Sequence, residues 1–245
     1  MAKKTPSQQR WLKRQHSDIY VKKAHLEGYR SRAAYKLKEI QEKYKLIKKG
    51  MHILDLGAAP GSWSQVALEL GAKVIGIDLL PIVPLEGAVF IQGDFRSLHC
   101  HPERSEAEGV TESKDLNQAL LLGPSPSAQD DLHLALAKQE QVQCRFDGIL
   151  SDISPSTCGI PKVDHLKLVG MLEDMMELFP KYLKSDGFFV CKVFKGGMQS
   201  DLLKLLKQSF KKVTHFKPKS SRAESPEEYL IAQGYIVYHH EFSQN

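Results

Sequence analysis

Cysteine is scarce, with four in 245 residues, and Cys100, Cys144, Cys158 and Cys191 form no CxxC pair. That scatter argues against a zinc site and against a disulfide framework, and no metal is expected. It fits a reducing, cytoplasmic setting. Long apolar runs are also missing: no stretch approaches the ~18 residues of a membrane helix. The start, Met1-Ala-Lys-Lys-Thr-Pro-Ser-Gln-Gln-Arg10, is polar and lacks the apolar centre of a secretory signal. A GxGxxG fingerprint is absent, which disfavours a nicotinamide cofactor. There is no internal repeat.

Acidic residues are few where basic ones are many. Residues 1–50 carry 15 Lys/Arg against 4 Asp/Glu, more than the whole excess of a chain whose net charge is +5. Such a segment suits a polyphosphate partner, because each neutralised phosphate releases counterions. A solvated, solubilising tail is the plainer reading of the same charges. The sequence divides into a basic arm over 1–28, poorly periodic up to residue 26, and a domain over 29–245. A polar segment at about 97–144 interrupts that domain, with 8 Asp/Glu against 3 Lys/Arg and turn-rich stretches. It reads as an insertion dispensable for chemistry.

Outside the insertion the pattern is α/β. A helix is expected over Tyr29–Tyr44, with Ala33, Leu37, Ile40 and Tyr44 at helical spacing. Strands are expected at 51–56, 73–78, 88–92, 146–152, 187–194, 213–216 and 229–238. Helices are expected at 63–70, 163–183 and 202–210. A strand, a glycine turn, a helix and a strand ending in an acid make the first βαβ unit of a doubly wound sheet.

Two constellations carry chemistry. In Asp55-Leu-Gly57-Ala-Ala-Pro-Gly61-Ser-Trp63, the glycines let backbone approach a ligand closely, and the helix that follows can hold a carboxylate on its first amides. Asp78 ends the second strand, where an acid accepts from ribose hydroxyls. Asp94 follows the third and is placed to accept from an adenine amino group. Together these point to S-adenosyl-L-methionine as cofactor. The plainer reading is a tight turn with two solvated loop acids. The second constellation is Lys36, Asp152, Lys192 and Glu227. A ribose 2′-hydroxyl is a poor nucleophile until its proton is loosened, and a lysine aligned by an acid can accept that proton or steady the developing alkoxide. Lys192 interrupts an otherwise buried-looking strand, Phe188-Phe-Val-Cys-Lys-Val-Phe, where a lysine is costly unless paired, and Asp152 ends the strand expected beside it. A structural ion pair is the alternative for these two.

These residues carry a resemblance. Tyr29-Arg-Ser-Arg-Ala-Ala-Tyr-Lys36-Leu, Asp55 to Gln65, Asp78-Leu-Leu-Pro, Gln92-Gly-Asp-Phe-Arg, Leu150-Ser-Asp152-Ile-Ser-Pro, Val190-Cys-Lys192-Val-Phe and Lys217-Pro-Lys-Ser-Ser-Arg-Ala-Glu-Ser-Pro-Glu227-Glu-Tyr all match motifs in order. The chain resembles the FtsJ/RrmJ family of 23S ribosomal RNA uridine 2′-O-methyltransferases. The resemblance implies a Rossmann-like sheet of seven strands, mostly parallel with the last antiparallel. It implies a Lys36-Asp152-Lys192-Glu227 tetrad, and cofactor contacts at Gly61, Trp63, Asp78, Asp94 and Asp152 beside the turn at Gly57. Its implied substrate is a uridine in the peptidyl-transferase region of the large ribosomal subunit, with no membrane and no obligate protein partner. Two departures stand out: Ser62 replaces a usual glycine, and Ser156 a usual asparagine. The same chemistry on tRNA or another RNA, or a non-catalytic role in ribosome assembly, are the alternatives. The intact tetrad disfavours the last.

Overall fold

The computed structural model describes residues 18–99, 145–155, 159, 161–195 and 200–237. The chain enters through helix α1 (Ile19–Leu26), capped by Asp18, whose carboxylate accepts from the Tyr20 amide at 3.0 Å. The basic arm was expected to be without periodicity, yet its end is helical. The helix buries only Ala24, so it has no apolar stripe to read. Helix α2 (Ala33–Tyr44) starts four residues later than expected, and its C-terminus closes on Lys45 in the left-handed conformation.

The sheet then builds from β1 (His52–Leu56), β2 (Lys73–Asp78), β3 (Ala88–Gln92), β4 (Phe146–Ser151), β5 (Leu183–Phe194), β6 (Phe210–Phe216) and β7 (Glu227–Tyr235). Their order is β3-β2-β1-β4-β5-β7-β6. The first five pair in parallel, and β7 runs antiparallel between β5 and β6. The expected seven-stranded α/β architecture is therefore present, with the last strand reversed. Helices α3 (Ser62–Glu69), α4 (Pro161–Met176), α5 (Phe179–Tyr182) and α6 (Ser200–Ser209) complete the layers. One helix expected over 163–183 is two, because Pro180 in the first turn of α5 cannot continue the ladder of α4.

Period-2 alternation sorts each strand into two cores. Leu54, Ile149, Phe189, Cys191 and Leu230 face one layer, with α4, α5 and α6. Ile53, Leu150, Phe188, Val190, Tyr229 and Ile231 face the other, with α2 and α3. The expected insertion at 97–144 lies outside the described residues from position 100 onward. Its first residues belong to the fold: Phe95–His99 form a 3-10 turn, and Leu98 is fully buried with its carbonyl 3.4 Å from the Tyr182 hydroxyl.

Candidate active site

Between β1 and α3 the chain must reverse, and two glycines allow it. Gly57 (φ +68°) and Gly61 (φ +101°) occupy conformations that side chains disfavour. A Cβ on Gly57 would lie 1.9 Å from Ile153 Cγ1, so the turn is pressed against the loop after β4. The turn is held by backbone and by Asp78. Gly57 N donates to the Ile77 carbonyl at 2.8 Å, and Ala59 N donates to Asp78 Oδ2 at 2.9 Å. Leu80 N donates to the other oxygen, Oδ1, at 2.8 Å. Asp78 lines a cavity of about 500 Å³ together with Gly57, Leu79, Asp94, Ile153 and, from α4, Gly170 and Met171. Asp94 is fixed there by Arg96, with contacts of 2.6–3.0 Å. Those hydrogen bonds hold its carboxyl below the ordinary range, against partial burial.

Three of the six expected cofactor residues, Gly57, Asp78 and Asp94, thus line one cavity. Gly61 opens α3 beside it, and Asp152 is the chain neighbour of the lining residue Ile153. Trp63 is placed differently. Its indole is buried, donates to the Ala33 carbonyl at 2.9 Å and packs on the Tyr229 ring, centroids 5.5 Å apart. Its backbone lies in the first turn of α3, two residues after Gly61. Ser62, one of the two departures, is buried with Oγ 2.7 Å from Ser31 Oγ. Ser156 lies outside the described residues.

The four tetrad residues converge. Antiparallel pairing sets Lys192 opposite Tyr229 and Phe194 opposite Glu227, so Lys192, Tyr229 and Glu227 share the face covered by α2. Lys36 reaches that face from α2, and Asp152 follows the last residue of β4. Lys192 Nζ lies 2.9 Å from Asp152 Oδ1 and 3.8 Å from Glu227 Oε2; Lys36 Nζ lies 2.8 Å from Glu227 Oε1 and 3.8 Å from Asp152 Oδ1. Their side chains are 8%, 19%, 15% and 10% exposed for Lys192, Asp152, Glu227 and Lys36. Two cations alternate with two anions, so each charge has an opposite neighbour where water is scarce. Burial pushes the Glu227 carboxyl up, but the charges of Lys36 and Lys192 and hydrogen bonds from Lys36 and Ser221 outweigh it, and the group sits below its ordinary value.

Several partners escaped the sequence reading. Tyr229 donates its hydroxyl to Asp152 Oδ1 at 2.5 Å, and its ring lies 5.7 Å from Lys36 Nζ. Burial first, then the charges of Asp152 and Glu227, push the phenol well above its usual range, so it remains a donor. Its position two residues after Glu227 on a strand was a signal, since both must share a face. Ser221 donates to Glu227 Oε1 at 2.9 Å. Asp55, within the glycine-turn motif, is buried at the end of β1 and accepts from Ser64 Oγ at 2.6 Å. Burial raises its carboxyl to about 7, with Asp152 and Asp78 adding to the rise. Among the described residues no group of His, Cys, Asp and Glu is disposed to hold a metal ion, and no helix is long and apolar enough to cross a membrane.

A glycine turn, an acid-rimmed cavity and a lysine–carboxylate tetrad standing beside it are the parts of a group-transfer enzyme. The family model described as FtsJ-like methyltransferase matches residues 29–235. The chain belongs to the FtsJ-like methyltransferase family. A relative from Acidiphilium cryptum, named ribosomal RNA large subunit methyltransferase E, is 44% identical over 95% of this chain and 89% of its own length. Another so named, from Maricaulis maris, is 42% identical over 94% of this chain and 70% of its own. Among solved structures, a Plasmodium falciparum chain named as a ribosomal RNA methyltransferase is 31% identical. Its TM-score is 0.64, and the match covers 84% of this chain and 98% of that one. FtsJ-like membership makes this chain a methyltransferase of Rossmann-like fold.

Proposed function

We propose that this methyltransferase uses S-adenosyl-L-methionine to methylate a ribose 2′-hydroxyl, that of a uridine, in 23S ribosomal RNA of the large subunit. The observation that carries the reading is the tetrad: two lysines and two carboxylates interleaved, with Asp152 next in the chain to Ile153, which lines a cavity of nucleoside size. The names of the similar proteins support ribosomal RNA as the substrate.

The cavity's residues fit the cofactor. Asp78 offers one free lone pair on each oxygen to the adenosine ribose, Asp94 stands where the adenine amino group would fall, and the α3 amides after Gly61 face the carboxylate. The cofactor supplies an electrophilic sulfonium methyl when bound. The protein supplies the handling of the nucleophile's proton. Lys192 Nζ is fixed by two bonds to Asp152, to Oδ1 at 2.9 Å and to the backbone carbonyl at 2.8 Å, which leave one nitrogen position for the 2′-oxygen. There it takes the hydroxyl proton or steadies the oxygen as charge develops. Asp152 aims Lys192, Tyr229 aims Asp152, and Glu227 with Lys36 balances the charge. Burial by Trp63 and Tyr229 keeps water from screening these interactions.

The test is transfer of isotope-labelled methyl from cofactor to large ribosomal subunits lacking the modification, followed by nucleoside mass spectrometry. Label in 2′-O-methyluridine is the expected result. Label on a base, or in tRNA alone, would overturn the reading.

A further inference from the structure

A second cavity, of about 400 Å³, meets the tetrad from another direction. It is lined by Lys36 and Glu227 themselves and by Arg32, Arg222, Glu224 and Ser225. The cofactor cavity instead reaches the tetrad through Ile153. A ribose whose 2′-oxygen meets Lys192 carries a phosphodiester on the adjacent carbon. Lys36 and Glu227 line this second cavity, so it offers a course for that backbone beside the tetrad.

The charges there are unusual. The lining side chains bring three cations, Arg32, Lys36 and Arg222, and two anions, Glu224 and Glu227, a net of +1. One further anion reaches the arginines from outside the lining: Asp18, the cap of α1. Its Oδ2 accepts from Arg32 Nη1 and from Arg222 Nη2 at 3.1 Å and Nε at 3.3 Å. With Asp18 counted the groove is neutral. The Asp18, Arg32 and Arg222 side chains are 7%, 16% and 31% exposed, so the carboxylate is shielded; Arg32 also donates Nη2 to the Ser220 carbonyl, and Arg222 is the more open of the two. Burial, then the nearby charge of Arg222, lowers the Arg32 guanidinium below its ordinary value, so this pair of cations needs an anion between them. Planar guanidiniums suit phosphate oxygens as well as carboxylate oxygens.

We propose that Arg32 and Arg222 form a phosphodiester subsite beside the tetrad, which Asp18 occupies as an internal anion until the RNA strand displaces it. The subsite rests on the ribose-methylation reading above. It makes Asp18 a brake on RNA binding: the helix cap holds the arginines in place and offsets part of their charge, and the substrate's own phosphate exchanges for it.

Two substitutions test this in the full chain, with a short single-stranded RNA as probe. Asp18→Asn keeps an acceptor for the helix cap but removes the charge. RNA affinity is expected to rise several-fold, because the phosphate no longer has to displace an internal anion. Cofactor affinity should stay as it is. Arg222→Gln, at the more exposed member, should weaken RNA binding several-fold, again without change in cofactor affinity, and should cancel the gain in the double variant. If Asp18→Asn folds and binds cofactor but holds RNA no tighter, Asp18 is a structural brace and the subsite proposal is wrong. If Asp18→Asn does not fold, Arg222→Gln decides alone, and unchanged RNA affinity overturns the proposal. Ribose methylation by the wild-type chain, measured alongside, distinguishes that outcome from failure of the functional reading.

Discussion

Lys192 is tied twice to Asp152, once at the carboxylate, 2.9 Å, and once at the backbone carbonyl, 2.8 Å. The double tie has a geometric origin. β4 and β5 are parallel neighbours whose pairing ends at Ser151 and Cys191, so each chain's next residue stands at the same sheet edge. A flexible four-carbon side chain is thereby fixed at its tip, on the carboxyl edge where α/β folds build their sites.

Removing that tip should affect turnover more than binding. Lys192→Ala is expected to lower kcat about 10²–10⁴-fold, the range of a lost general base. Lys192→Arg should not restore it, because a guanidinium stays protonated. Glu227→Ala should cost less, since Glu227 lies 3.8 Å from Lys192 and acts mainly on Lys36. Single-turnover rates with cofactor binding verified measure this. Near wild-type turnover in Lys192→Ala would end the lysine-centred mechanism.

Tyr229→Phe removes only the hydrogen bond to Asp152 and keeps the ring against Trp63. A bond to a charged acceptor contributes about 1.5–3 kcal/mol, so both thermal stability and kcat should fall, with KM for the cofactor little changed. A drop in KM-controlled affinity without a kcat effect would place Tyr229 in binding instead.

Asp78→Ala deprives the glycine turn of the acceptor for Ala59 N and Leu80 N as well as the cofactor ribose of its partner. Cofactor affinity should fall roughly 10- to 100-fold, from the same hydrogen-bond magnitudes. Titration calorimetry reads it directly, and unchanged affinity would exclude Asp78 from the site.

Asp55 predicts a pH effect with a definite sign. Its carboxyl rises from an ordinary 3.8 to about 7 in the folded chain. The folded state then holds more protons than the unfolded one between those values, so this group's contribution is fully present below pH 3.8 and is lost as pH rises to about 7. Asp55→Asn, which cannot ionise, should gain in Tm relative to wild type as the buffer moves from pH 5 to 8. A difference in Tm that stays constant across that range would refute the shift.

The polar segment should be removable, but from residue 100 and not 97. Leu98 is part of the core, so a short linker from His99 to Arg145 is expected to give a folded, active chain, whereas joining at Ser97 should destabilise it. Thermal unfolding and methyl transfer on both shortened chains provide the comparison.

Alternation and glycine placement alone determined much of this protein. The strands at 73–78 and 88–92 ended where expected, and Gly57, Gly61 and Asp78 marked the turn, because positive φ and strand ends are local properties. The odd lysine in a buried strand exposed Lys192 for the same reason: burial of a charge demands a partner. Tertiary structure alone decided who those partners are. Lys36 and Glu227 are 191 positions apart, and only the packing of α2 against the β5–β7 pair brings them to 2.8 Å. Trp63 showed the opposite limit, since its motif placed it beside the cofactor while its indole turned into the core. Asp18 lies inside the arm whose charge suited either a polyphosphate partner or a solvated tail, and the two arginines that claim it come from the loop before α2 and the loop before β7. Local periodicity carries no information on contacts of such separation, because they form only when the sheet has ordered both loops at one edge.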